Sequence, residues 1–287
     1  MSFKKIGIFA LKDDDQTTNA IRALRDYLAD KDVDYYPMQG LYFDMGADDF
    51  ANTVRSLRDE LDLGIAVGGD GTMLHLARHF SSYELPLIGI NQGRLGFLTD
   101  ISADQMQEEL DEILSSDFYE EQRMLLQAVI PGRERECPSG IALNDIVITK
   151  GDTGHLVEYT LHVNDEFVGT TRGDGVILST PTGSTAYALS AGGPILHPTL
   201  PAIEVVPLCP HTLSHRPIVL PDSSLISLTI SDIADSDAHV FLDGNRWFQL
   251  GLGERVVVSR NGGQSNLIRA CSHNHYAALR SKLGWTN

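Results

Sequence analysis

Apolar residues recur along the first third of the chain in two alternating rhythms. Mainly apolar runs at Lys5–Leu11, Val33–Met38, Leu63–Val67 and Leu85–Ile90 predict strands, the first of them buried. Between them the spacing changes to every third or fourth residue. Ala20, Ile21, Leu24 and Leu28 mark a helix over Thr17–Ala29, and Phe50, Val54, Leu57 and Leu61 mark another over Asp48–Leu61. Met73, Leu74, Leu76, Ala77 and Phe80 give a third, and Gln105–Leu114 a fourth. Repeated strand–helix–strand units of this kind predict a parallel sheet with helices on both faces.

From about Phe118 the rhythm shortens. β-branched runs at Leu125–Ile130, Ile146–Thr149, Leu156–Val163, Phe167–Thr171, Val176–Leu178, Leu225–Ile230, Val240–Leu242 and Arg255–Ser259 are separated by Gly, Pro and Asp. That pattern predicts an antiparallel β domain. It is interrupted by one helical insertion near Ser184–Ala191, and Trp247 and Phe248 are expected in its core. The fold class expected is an α/β N-terminal domain with a parallel sheet, followed by a β-rich second domain. Residues 1–118 form the first and 119–271 the second, and a short C-terminal helix at Tyr276–Leu283 returns 272–287 to the first.

Charge narrows the partners. Thirty-nine acidic against 22 basic residues leave a net charge of −17. Nucleic acid or an anionic membrane surface calls for clustered Lys and Arg, so neither is an expected partner. A small anionic ligand stays possible, because backbone N–H groups and a few cations can hold it. No apolar run approaches the roughly 18 residues of a membrane span. The three cysteines, Cys137, Cys209 and Cys271, form no metal-ligand pair. An odd count without a leader points to a cytoplasmic, reducing setting.

The densest chemistry is Gly68-Gly69-Asp70-Gly71-Thr72, lying between an apolar strand and a helical pattern. Glycines there let backbone N–H groups and a helix N-terminus approach a phosphate. A purely phosphate-holding loop gains nothing from an acid among its donors, whereas one that must also orient or deprotonate a hydroxyl does. The plainer alternative makes Asp70 the N-cap of the helix. Neither Gly-x-Gly-x-x-Gly nor a Walker A sequence occurs at this loop.

A second cluster, Arg172-Gly173-Asp174-Gly175 through Ser179-Thr180-Pro181-Thr182-Gly183-Ser184-Thr185-Ala186-Tyr187, offers many hydroxyl donors and one aromatic face to a sugar, amide or purine. Asn144-Asp145, at a strand start, could grip vicinal hydroxyls. His273-Asn274-His275 lacks the acid or cysteine neighbours of a metal site, and no protein-held metal is expected. His211 and His215 lie between Pro210 and Pro217, which predicts a loop. Ser184 has no nucleophile elbow around it.

Together these elements resemble the NAD kinase family. Gly68–Gly71 matches its glycine-acid motif and Asn144-Asp145 its second motif. Ser179–Tyr187 with Leu189-Ser190-Ala191-Gly192-Gly193-Pro194 matches its most distinctive one. Gly93-Arg94-Leu95-Gly96-Phe97-Leu98 and the closing Lys282-Leu283-Gly284-Trp285 extend the likeness over nearly the whole chain. Two departures stand out: Asp145 where Glu is frequent, and Asn245 where some relatives have Gln. The resemblance implies transfer of the ATP γ-phosphoryl group, with Mg²⁺, to the 2′-hydroxyl of the adenosine ribose of NAD. It implies Asp70 as base, and Gly68, Gly69, Gly71 and Thr72 around phosphates. Asp70, Gly71, Asn144, Asp145, His155, Arg172, Asp174, Thr185, Ala186, Tyr187, Ala188, Leu189, Ser190 and Asn245 would line the dinucleotide site.

A homotetramer or homodimer is implied too, with sites shared between subunits. Ile203–Cys209 and the loop at Arg172–Asp174 are the expected contact segments. The competing readings are a diacylglycerol-type lipid kinase, which shares the glycine-acid loop, and a non-catalytic NAD(P) sensor.

Overall fold

A computed structural model of the protein describes residues 3–31, 33–39, 60–81, 83–93, 96–137, 139–151, 155–233 and 238–285. They form two units, residues 1–122 with 265–287 and residues 123–264. The helix expected over Asp48–Leu61 lies almost wholly outside the described residues.

In the first unit the apolar runs become β1 (Lys5–Ala10), β2 (Asp34–Gln39), β3 (Leu63–Gly68) and β4 (Leu87–Asn91). They pair in parallel in the order β2-β1-β3-β4, with Ile6 opposite Leu63 and Gly64 opposite Leu87. The short β5 (Ile101–Ser102) adds beside β4. The helices are α1 (Asp15–Ala29), α2 (Asp70–Phe80) and α3 (Met106–Leu114). α1 starts where Asp14 caps it by accepting from the Thr17 N–H at 2.8 Å. It buries Ile21, Leu24 and Leu28 against Ile6, Ile8 and Ile65, each such side chain contributing about 1.5–3 kcal/mol. The C-terminal helix α5 (His275–Leu283) belongs to this unit, capped by Asn274 at one end and closed by Gly284 in the left-handed conformation.

In the second unit, β8 (Asp145–Lys150), β11 (Gly175–Ser179), β12 (Ala202–Leu208), β13 (Ile218–Pro221), β15 (Ala238–Leu242) and β16 (Asn245–Leu250) make a six-stranded antiparallel sheet in the order β13-β12-β11-β8-β15-β16. β9 (Val157–Val163), β10 (Glu166–Gly173) and β14 (Ile226–Ile233) pair in the order β10-β9-β14, and β14 pairs with β17 (Arg255–Ala270). β6 (Phe118–Val129) joins β17 and the short β7 (Gly140–Ala142). Alternate residues of these strands share one core, including Leu126, Ile146, Tyr159, Val176, Val205, Leu228, Val240 and Val256. Trp247 and Phe248 pack on it as expected. His211 and His215 lie in a loop. Among the described residues no helix is long and apolar enough to cross a membrane.

Two expectations need correcting. β17 extends far beyond Ser259, because its middle, Arg260-Asn261-Gly262-Gly263-Gln264, is polar and glycine-rich and hides the strand pattern. Ile203–Cys209, expected as a contact surface, is mostly β12, paired with β13 up to Val205 and with β11 over Glu204–Leu208, and its apolar residues Ile203, Val205, Val206 and Leu208 are buried. Its apolar side chains are used inside the unit.

Candidate active site

β3 gives way to α2 across a single residue, Gly69. Gly69 is the N-cap and brings no capping side chain. At both Gly69 and Gly71 the space a Cβ would take is open for 4 Å. The first turn of α2, with its unpartnered N–H groups and positive dipole end, therefore faces open space beyond the carboxyl end of a parallel strand. A cleft of 230 Å³ opens there, lined by Lys12, Gln16, Gly68, Gly69, Thr72 and Gln92, among others. Gln92 Nε2 is buried with no hydrogen-bond partner. Helix terminus, ammonium and orphan amide donor together suit an anion with several oxygens. Lys12 and Gln92 were not anticipated, since neither belongs to a local motif.

Asp70 is not the N-cap. It is the first residue of α2, and its carboxylate is held by a different turn. Oδ2 accepts from the Phe97 N–H at 2.8 Å. Oδ1 accepts from the N–H groups of Leu98 and Thr99 and from the Thr99 hydroxyl, each at 3.0 Å. The donors expected from the glycine loop thus come from residues 97–99. A helix's first N–H groups point along its axis, while its side chains project from its flank. Gly96 permits the approach: an added Cβ would lie 2.6 Å from the Asp70 carboxyl carbon and closer still to Oδ1.

The carbonyls of the same turn are taken by Arg269 of β17. Its guanidinium donates to Leu98 O at 3.2 Å and Phe97 O at 3.4 Å, and pairs with Asp100 and Glu121. Arg269 is 2% exposed, and two carboxylates compensate its buried charge. Burial opposes ionisation of Asp100, but Arg269 and the His273 hydrogen bond outweigh it and hold the carboxyl below its usual range. His273 lies 2.6 Å from Asp100 and Asn274 caps α5, so this pair of neighbours is occupied structurally.

In the second unit the Asn144-Asp145 pair and the long hydroxyl loop do come together. Asp243, in the turn between β15 and β16, accepts from the N–H groups of Leu143, Asn144 and Asp145 at 3.0, 2.7 and 3.1 Å. Its own N–H returns to Asp145 O at 3.0 Å. From the other strand neighbour, Thr180 N–H reaches Asn144 O at 2.9 Å and the Thr180 hydroxyl reaches Leu143 O at 2.6 Å. Gly183 packs directly on the Asn144 carbonyl, where no side chain would fit. Asp145 is 4% exposed; burial and then the charge of Asp243 push its carboxyl up to about 7.

The hydroxyl loop differs from expectation. Ser179, Thr180 and Ser184 are fully buried and bonded to backbone, Ser184 donating to Pro181 O and accepting from Leu196 N–H. Buried hydroxyls must find partners, so these three shape the loop rather than offer donors to a ligand. Tyr187 and Ser190 are exposed, Thr185, Ala186 and Leu189 half-buried, and Ala188 fully buried with Val147, Ile177 and Val206. Tyr187, Ala188, Leu189 and Ser190 make up the short helix α4 (Tyr187–Ser190), preceded by a 3₁₀ turn at Gly183–Thr185. Asn245 is exposed and donates to Asp243 O at 3.3 Å. Arg172 and Asp174 lie at the opposite end of β11 from Ser179; Arg172 is exposed and Asp174 pairs with Lys150 at 2.6 Å. His155 is exposed.

An anion-ready helix terminus beside a held carboxylate supplies two parts that phosphoryl transfer requires, a phosphate cradle and a group to take a hydroxyl proton. The model of the ATP-NAD kinase N-terminal domain matches residues 6–118 and that of the ATP-NAD kinase C-terminal domain matches residues 143–270. The chain belongs to the ATP-NAD kinase family. It is 41% identical over 287 residues to an NAD kinase of Aromatoleum aromaticum, covering 99% of this chain and 95% of that one. It is 43% identical over 285 residues to an NAD kinase of Thiobacillus denitrificans, covering 99% and 97%. Among solved structures, yeast NADH kinase complexed with NADH is similar at a TM-score of 0.83 and 25% identity, covering 100% of this chain and 89% of that chain. An Archaeoglobus fulgidus NAD kinase in complex with ATP shares the fold at 0.76 and 22% identity, covering 99% and 100%.

Proposed function

We propose that the protein transfers the γ-phosphoryl group of ATP to the 2′-hydroxyl of the adenosine ribose of NAD, releasing ADP and NADP. The observation that carries this reading is Asp70, a carboxylate at the mouth of a helix N-terminus that it does not cap. The ribose oxygen attacks phosphorus as the bond to the leaving ADP oxygen breaks, and the hydroxyl proton passes to Asp70. Gly68, Gly69, Gly71 and Thr72, with Lys12 and Gln92, cradle phosphate oxygens. Asn144 and Asp145 hold the ribose hydroxyls, with Asp243 fixing the backbone beneath them. Thr185, Ala186, Ala188, Leu189 and Ser190 border the dinucleotide, and Tyr187 offers it an aromatic face. His155 and Asn245 are outer contacts, and Arg172 and Asp174, at the far end of β11, would serve the dinucleotide site of a neighbouring subunit.

A divalent ion such as Mg²⁺, when bound with ATP, neutralises the triphosphate charge. In this proposal the ion arrives with the nucleotide. Self-association is part of the proposal. β10 is an open sheet edge that carries exposed Phe167, Val168 and Arg172, and light scattering at micromolar concentration would contradict it by finding a monomer.

Asp70→Asn tests the reaction. Turnover should fall by roughly 10²–10⁴-fold while calorimetry still detects NAD binding. Near-normal turnover would reduce Asp70 to a loop residue. Crossing NAD and NADH with ATP and polyphosphate identifies the substrate pair, and phosphorylation of diacylglycerol without NAD affinity would overturn the assignment.

A further inference from the structure

The C-terminal helix α5 carries a cation that the reading above leaves unused. Lys282 Nζ is buried and has no hydrogen-bond partner. It sits 3.7 Å from the centroid of the Phe97 ring, well inside the range of a cation–π contact. Phe97 is the residue whose N–H holds Asp70 Oδ2. A buried ammonium with no oxygen acceptor is unfavourable, since its hydration is given up and only the ring face replaces it. The charged groups around it come from three elements: Asp70 at the start of α2, Asp100 in the 97–100 turn together with its partner His273, and Arg269 of β17. The two carboxylates attract the ammonium and Arg269 repels it.

We propose that Lys282 is a positioning residue for phosphoryl transfer: its ammonium pins the Phe97 ring, and so fixes the turn that aims the Asp70 carboxylate. The inference rests on Asp70 being the base. Lys282 lies in the last turn of the helix, two residues before the Gly284 stop. Arg269 fixes the carbonyls of residues 97 and 98, and Lys282 fixes the ring of residue 97, so the turn is constrained through both backbone and side chain. Burial, opposed by Asp70 and Asp100, brings the Lys282 ammonium down to about 8. The positioning charge is therefore present below that pH and lost as pH rises through it.

The test compares Lys282→Met and Lys282→Arg with the unaltered enzyme, with Asp70→Asn measured in the same series. Lys282→Met keeps the length of the side chain and removes the charge. It should lower kcat at pH 7 tenfold or more, with KM for NAD and ATP within twofold. Its residual kcat should no longer fall as pH passes about 8. Lys282→Arg, charged throughout, should recover most of kcat and also lack the alkaline fall. The proposal is overturned if Lys282→Met keeps both normal kcat and the alkaline fall. It is equally overturned if Met and Arg variants lose activity alike while the pH profile stays unchanged, since that marks a packing role. Normal turnover in Asp70→Asn would instead remove the base assignment on which the proposal stands.

Discussion

Gly96→Ala adds one methyl group at the most crowded point of the site. The new Cβ would lie 1.8 Å from Asp70 Oδ1 and 2.6 Å from the carboxyl carbon, and ordinary contact begins at 3.4 Å, so the carboxylate must withdraw by about 1.6 Å. Its four hydrogen bonds, now 2.8–3.0 Å, would stretch beyond roughly 4 Å if the turn stayed in place, where they no longer count as hydrogen bonds. The Gly96 N–H also donates to Thr99 O at 2.9 Å, so the turn cannot simply swing away. Overpacking of this kind costs about 1–3 kcal/mol of stability. A misplacement of even about 1 Å at a catalytic group costs on the order of 10²-fold in rate. We expect kcat to fall by about that factor, KM for ATP to change little, and the urea midpoint to drop. Gly262→Ala, where no heavy atom stands within 4 Å of the added Cβ, is the control that should leave all three unchanged. A Gly96→Ala enzyme that folds and turns over within threefold of normal would refute the idea that the 96–99 turn sets the geometry of catalysis.

Two further outcomes follow from buried carboxyls. Asp145, pushed up to about 7 by burial and Asp243, is neutral below that pH and ionised above it; NAD affinity by calorimetry should rise between pH 6 and pH 8, and Asp145→Asn should flatten the rise. A persistent slope in that variant would detach Asp145 from the ribose. Glu204 is fully buried with both carboxyl oxygens unpartnered, and burial pushes it up to about 7. Because the folded value lies above the unfolded one, its contribution is most favourable at low pH and is lost as pH rises through about 7. Glu204→Gln should therefore gain about 3 kcal/mol on the unaltered protein between pH 5 and pH 8 in urea titrations, and equal differences at the two pH values would contradict this.

Local pattern was enough for much of the architecture. Leu63–Val67, Gly68–Thr72 and the helix behind them were legible because a strand buried on both faces, a glycine turn and a helical repeat each leave their mark on adjacent residues. The same holds for Asn144-Asp145 at the start of β8 and for the tail helix. Where local pattern was silent, reading failed: the polar middle of β17 carries no alternation, and β12 reads equally well as an interior strand or a sticky surface.

By itself, then, the chain's order of residues determined the α/β-then-β succession, the glycine turn between β3 and α2, and the family. Only the tertiary structure decided what holds Asp70. Phe97, Leu98 and Thr99 stand 27 to 29 residues from it, and Arg269, which grips the same turn, lies 171 residues from Leu98. Asp243 reaches Leu143 across 100 residues. An isolated Arg, Asp or Lys has the same sequence neighbours whether it lies in water or in a buried clamp. Periodicity reports which face of an element is apolar, and only the packing of distant elements selects which polar groups lose their water and must find each other.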